Sequence, residues 1–97
     1  MQTANGKCLV SIAIAFGEIG KAAARPKMKA PARIAATYLG KMGNTPAFTR
    51  TKKEIVAVIY ALGEIGKNVM WQSLGDIANS TVALLGETGK FAASQNF

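Results

Sequence analysis

The sequence predicts an all-α fold: four helices produced by a 23-residue repeat and paired into two helical hairpins. Three observations predict it. Gly17, Gly40, Gly63 and Gly86 stand at equal intervals, and each is followed three residues later by a second glycine, Gly20, Gly43, Gly66 and Gly89. Upstream of each glycine pair lies a run of helix-compatible residues with few breakers. No segment alternates polar and apolar residues with the period of a half-buried strand.

The first helix is expected near 4–19, starting at Thr3 or Asn5, and carries the apolar run 8–16. The second is expected near 30–42, with Pro31 at the first helical position, where a missing N–H costs nothing. The third is expected near 52–65, opened by the capping box Thr51-x-x-Glu54. The fourth is expected near 74–88 after the looser pattern Ser73-x-x-Asp76. Each helix is read as ending in its Gly-x-x-Gly segment. There the second glycine suits the left-handed position past a helix C-terminus. A lysine follows it in three units (Lys21, Lys67, Lys90), beside the negative helix end. Connections of about eight to eleven residues follow from these boundaries. The first glycine costs up to about 1 kcal/mol inside a helix, so its recurrence points to a neighbouring backbone packed closely against it.

Units one and three are the most alike. Ile14-Ala15-Phe16-Gly17-Glu18-Ile19-Gly20-Lys21 parallels Tyr60-Ala61-Leu62-Gly63-Glu64-Ile65-Gly66-Lys67. Both helices are apolar almost all round, whereas units two and four carry Arg33, Thr37, Asn79, Ser80 and Thr81 and are more one-sided. The superunit is therefore a helix pair used twice. With its Leu62-Gly63-Glu64-Ile65-Gly66 and Phe16-Gly17-Glu18-Ile19-Gly20 segments, this pattern resembles the HEAT-like helical repeats. The resemblance implies two HEAT-like hairpins, a scaffold role toward proteins, and no catalytic residues. Both helices of each pair end in Gly-x-x-Gly here and the usual inter-helix charges are absent, so a closed four-helix bundle stands as the alternative fold.

Ninety-seven residues make one domain, residues 1–97, with 49% hydrophobic and 18% charged side chains. That is apolar for a small soluble domain. Two nearly all-round apolar helices cannot both be covered within four helices, which predicts self-association as a symmetric dimer, or burial against the rest of a longer chain. No apolar stretch reaches membrane-spanning length. The single cysteine, Cys8, excludes an internal disulfide, fits a reducing, cytoplasmic location, and reads as a small buried residue. A soluble part of a larger or anchored protein is also compatible with the reading.

The chemistry is narrowed mainly by exclusion. Histidine is absent, and one cysteine cannot form a zinc site. No catalytic, metal or cofactor-binding residue is assigned, no small-molecule substrate is implied, and the chain is read as a non-enzyme. Glu18, Glu64 and Glu87 share one repeat position, but lysines at i+3 account for them as local ion pairs. The Gly-x-x-Gly-Lys segments lack the upstream glycine and following Ser or Thr of a phosphate loop. Glutamate in three of the four segments argues against a backbone clamp on nucleic acid.

The net charge of +7 is unevenly spread. Lys21, Arg25, Lys27, Lys29, Arg33, Arg50, Lys52 and Lys53 all fall before Glu54, with no acid between Glu18 and Glu54. These eight are the candidate residues for a polyanion or partner. The expected partner is a protein, including a second copy of this chain. A basic nucleic-acid-binding module using 21–33 and 50–53 is the alternative function, with a membrane surface the third reading. Trp71 and Tyr38 are expected in the core or between units.

Overall fold

The structure is a computed structural model and describes residues 6–44 and 52–95. Four helices follow in order: α1 (Gly6–Ala24), α2 (Lys29–Gly43), α3 (Lys52–Trp71) and α4 (Gly75–Ser94). Among the described residues there is no strand. The expected helix start at Thr3 or Asn5, the Thr51 cap, the connection through Pro46, and Arg50 lie outside the described residues, as does the side chain of Cys8.

The Gly-x-x-Gly segments are not turns, which corrects the reading of the helix ends. α1, α3 and α4 run on for a further turn or more past Gly20, Gly66 and Gly89, and only Gly43 ends a helix. No glycine has a positive φ. The physical reason is the helix propensity of the residues downstream. Gly20 is succeeded by Lys21 and three alanines, all strong helix formers, and one interior glycine is too small a penalty to stop them.

The chain reverses instead at Lys27 and Ser73, whose φ values are 59° and 60°. The Lys27 N–H donates to the Ala24 carbonyl and the Met28 N–H to the Ala23 carbonyl, both at 2.9 Å. The Ser73 N–H donates to Met70 at 3.0 Å and the Leu74 N–H to Val69 at 2.8 Å. This double bond pattern is a Schellman cap with a non-glycine residue in the left-handed position. In the first hairpin, Pro26 has no N–H to donate to the Ala22 carbonyl, so the helical ladder of α1 stops there. The connections are accordingly short, 25–28 and 72–74. Ser73 therefore closes α3 rather than capping α4, whose N-cap is Leu74 without a side-chain bond.

The two hairpins stack like helix on like helix. α1 lies beside α3 and α2 beside α4; α2 and α3 also meet across the middle, while α1 and α4 do not touch. The neighbours run parallel: a Cβ on Gly17 would lie 2.8 Å from the Ala61 Cβ and 3.2 Å from its Cα, and one on Gly43 would lie 2.6 Å from the Thr88 hydroxyl. Close backbone approach is thus the reason for glycine at Gly17 but not at its repeats: Gly40 faces the Leu84 side chain, and a Cβ on Gly63 or Gly86 would meet nothing within 4 Å. Paired hairpins and a four-helix bundle share these contacts.

The core is formed by Leu39, Val58, Leu62, Ile65, Val69 and Ile77, all essentially inaccessible, with a floor of alanines (Ala13, Ala24, Ala32, Ala35, Ala36). Small residues there let the axes approach, as ridges settle into shallow grooves. Thr81 corrects the expected polar face of α4. It is fully buried, as is Thr88, and each hydroxyl donates back to its own helix, to the Ile77 carbonyl at 2.7 Å and the Leu84 carbonyl at 2.9 Å. A hydroxyl satisfied by the i−4 carbonyl packs as an apolar residue would. Arg33, Thr37, Asn79 and Ser80 are exposed as expected.

Candidate functional site

The acidic residues form ion pairs and no cluster. Lys21 lies 3.5 Å from Glu18, Lys67 3.1 Å from Glu64 and Lys90 3.4 Å from Glu87, each an i,i+3 pair on one helix. Glu18 and Glu64 border one small crevice between α1 and α3 with Tyr60, of about 30 Å³. Glu87 is on α4, which does not reach α1. Among the described residues no three His, Cys, Asp or Glu side chains converge as metal ligands would.

The seven candidate basic residues that the structure describes fall into two groups at opposite ends of the molecule. Arg25 and Lys27 sit in the first hairpin turn, with Lys29 and Arg33 in the first turns of α2, and all four are exposed. Lys21 is half-buried, one turn before the end of α1 and engaged with Glu18. Lys52 and Lys53 are exposed at the start of α3. Because α1 and α3 are parallel, that start lies at the end away from the hairpin turns, roughly 25–30 Å off at 1.5 Å per residue. Arg50 belongs to the undescribed segment. The end bearing Lys29 also holds Asp76, which lines the same cleft with Ser73 and Gly75.

The largest chemical feature of the surface is apolar. Ile12, Ile14, Ile19, Ile34 and Tyr38 on the first hairpin are 43–55% exposed. On the second, Val56, Tyr60, Met70, Trp71 and Val82 are 52–71% exposed. Trp71 thus departs from its expected core or inter-unit position: it lies on the surface with the Lys67 Nζ 5.7 Å from its ring centre. Tyr38 stacks on Phe16 between α1 and α2, with centroids 5.6 Å apart and planes 6° from parallel, and Lys41 lies over its other side at 5.4 Å. Phe16, Ile19, Pro31, Ile34 and Ala35 line a shallow, almost wholly apolar groove beside that pair.

The exposure of these residues was not read from the sequence. A signal for it exists. Residues 46 apart occupy equivalent places in the two hairpins, and the small residues Ala13, Ala24 and Ala36 correspond to Ile59, Met70 and Val82. The first set is at 0–2% exposure and the second at 36–63%.

The molecule is thus an all-helical pair of hairpins whose surface offers apolar faces and a basic end. No helix among the described residues is long and apolar enough to cross a membrane. Comparison of the chain with family models, curated proteins and solved structures returns no match.

Proposed function

We propose that this chain is a non-enzymatic, HEAT-like helical-repeat module that binds protein, including further copies of itself, through the apolar faces of its hairpins. The observation that carries the reading is the set of large apolar side chains left half or more exposed on both hairpins. Clusters of exposed apolar side chains commonly mark interaction surfaces, whereas single scattered ones do not. The single cysteine accords with work in a reducing, cytoplasmic setting.

The alternative is a basic module for nucleic acid, favoured by the exposed group Arg25, Lys27, Lys29 and Arg33. Salt separates the two. Phosphate contacts weaken steeply as salt rises, whereas apolar association of a chain of charge +7 strengthens as its self-repulsion is screened. Sedimentation equilibrium at micromolar concentration, with apolar-dye binding and polarisation titrations of mixed-sequence DNA and RNA, tests both. The module reading expects mass above 10.2 kDa, or a monomer that binds dye. A monomer that binds no dye overturns it. Nucleic-acid binding that vanishes with salt, in a protein that stays monomeric, would put the alternative in its place.

A further inference from the structure

We infer that copies of this chain associate head to tail, the first hairpin of one stacking on the second hairpin of the next, by repeating the contact that joins the two hairpins within the chain. The inference rests on the module reading and specifies its partner and geometry.

Within the chain, the second hairpin presents Ala61, Ile65, Leu84 and Thr88 to the first, where they meet Gly17, Gly20, Gly40 and Gly43. Both sides of this contact recur 46 residues away. The equivalents of the inserting residues are Ala15, Ile19, Tyr38 and Met42. Ala15, Ile19 and Tyr38 stand exposed on the outer side of the first hairpin; Met42 is buried. The equivalents of the receiving glycines are Gly63, Gly66, Gly86 and Gly89. A Cβ on Gly63, Gly86 or Gly89 would meet nothing within 4 Å. Gly66, by contrast, is buried with the Thr81 methyl 3.3 Å from where its Cβ would lie, so on each side three of the four positions are open copies of an interface that the molecule also contains filled.

Burial reports the same vacancy. Ile19 is 55% exposed where Ile65 is at 0%, and Ile12 is 43% exposed where Val58 is at 1%. Val82 is 61% exposed where Ala36 is at 2%. The last unit of a helical stack normally ends in a polar face. Here the outer side of the second hairpin is more apolar than the inner side of the first.

Charge selects head-to-tail over a symmetric dimer. Residues 6–44 hold seven bases and only one acid, Glu18; residues 52–95 hold four of each. First hairpin on first hairpin sets two strongly positive surfaces together, and second on second sets the open glycines against their own copies beside Ile59, Met70 and Val82, none of which is among the residues that fill glycines within the chain. Only the mixed contact joins a positive surface to a neutral one and inserting residues to open glycines. Such a contact is heterologous, so it builds chains or rings instead of closing at two.

The test uses the full chain and two surface variants. Ile19→Glu spoils the inserting face, and Gly86→Glu fills the receiving face; both sites are exposed, and far-UV circular dichroism checks that each variant folds. In sedimentation velocity across a micromolar concentration series, the parent's mass should rise past two chains. Each variant alone should associate more than about tenfold more weakly, because a charge is forced into a desolvated contact. Mixed in equal amounts, the variants should form a dimer that grows no further, since each retains the half that the other lacks. A mixture that stays monomeric, a variant that still forms the parent's oligomer, or a parent that stops at a closed dimer overturns the head-to-tail contact. A parent that stays monomeric but binds apolar dye also overturns it, while leaving the module reading with another partner. A monomer that binds no dye removes both.

Discussion

Gly17 and Gly63 hold the same place in the repeat and the same helical backbone, yet their surroundings are opposite. A side chain at Gly17 would strike the Ala61 Cβ at 2.8 Å and its Cα at 3.2 Å, and neither atom can swing aside. Gly17→Ala is therefore expected to destabilise the fold by about 1–3 kcal/mol, the usual cost of overpacking. At Gly63 an added Cβ meets nothing within 4 Å. Gly63→Ala should stabilise by about 0.5–1 kcal/mol, by reducing the freedom of the unfolded chain and favouring helix. Urea titrations of both variants at low protein concentration check the pair. Effects of equal sign would mean that the two hairpins are not packed asymmetrically.

The helices are continuous because each interior glycine costs less than the packing it permits, and they stop where a left-handed residue is held by two backbone bonds. That residue is Lys27 in one hairpin and Ser73 in the other, at equivalent places. A residue with a Cβ is strained there by roughly 1–2 kcal/mol. Ser73→Gly should therefore raise stability, by about 0.5–1 kcal/mol after the added freedom of the unfolded chain is discounted. For a domain of this size that is a rise in Tm of a few degrees. A Ser73→Gly protein that melts lower than the parent would contradict the cap. Leu74, 5% exposed, and Val69, at 0%, bury the apolar flank of this cap. In the first hairpin Met28 is 52% exposed, and Pro26 contributes the stop.

At the scale of the molecule, each hairpin is completed by the other. The first contributes a floor of alanine and glycine, and the second the larger inserting residues Val58, Ile65 and Leu84. Leu39 and Met42 of the first hairpin and Ala61 and Ala78 of the second join the same core, so each half holds only part of it. Chain segments 1–46 and 47–97, prepared separately, should each show weak helical circular dichroism, since isolated helices and single repeat units are marginal in water. Mixed together they should gain helix beyond the sum of the two. Segments already fully helical alone would show that the contact between hairpins is not what stabilises them. The split of charge follows the same division, with the positive first hairpin beside a neutral second one.

Helix content, helix number and the pairing of units were legible in the sequence by itself, because they depend on local propensity and on glycine spacing that needs no neighbour to be seen. The Glu–Lys pairs were legible for the same reason, as i,i+3 neighbours on one helix surface. The role of the glycines was not. The same Gly-x-x-Gly serves as a cap or as a groove depending on whether another backbone arrives, and only tertiary packing decides that. Thr81 read as surface because its hydroxyl is polar, but the Ile77 carbonyl within its own helix satisfies it and frees it for the core. Trp71 read as buried because it is large and apolar, yet it stands on the exposed side of α3 beside Lys67, while Val69 and Leu74 to either side of it in the chain enter the core. The basic residues looked like one feature along the chain, and the parallel stacking of α1 and α3 set them at opposite ends. The opposed faces, one inserting and one receiving, exist only once two hairpins built on the same repeat are stacked in a fixed order. Repetition makes the halves alike, and stacking order alone decides which side of each is covered.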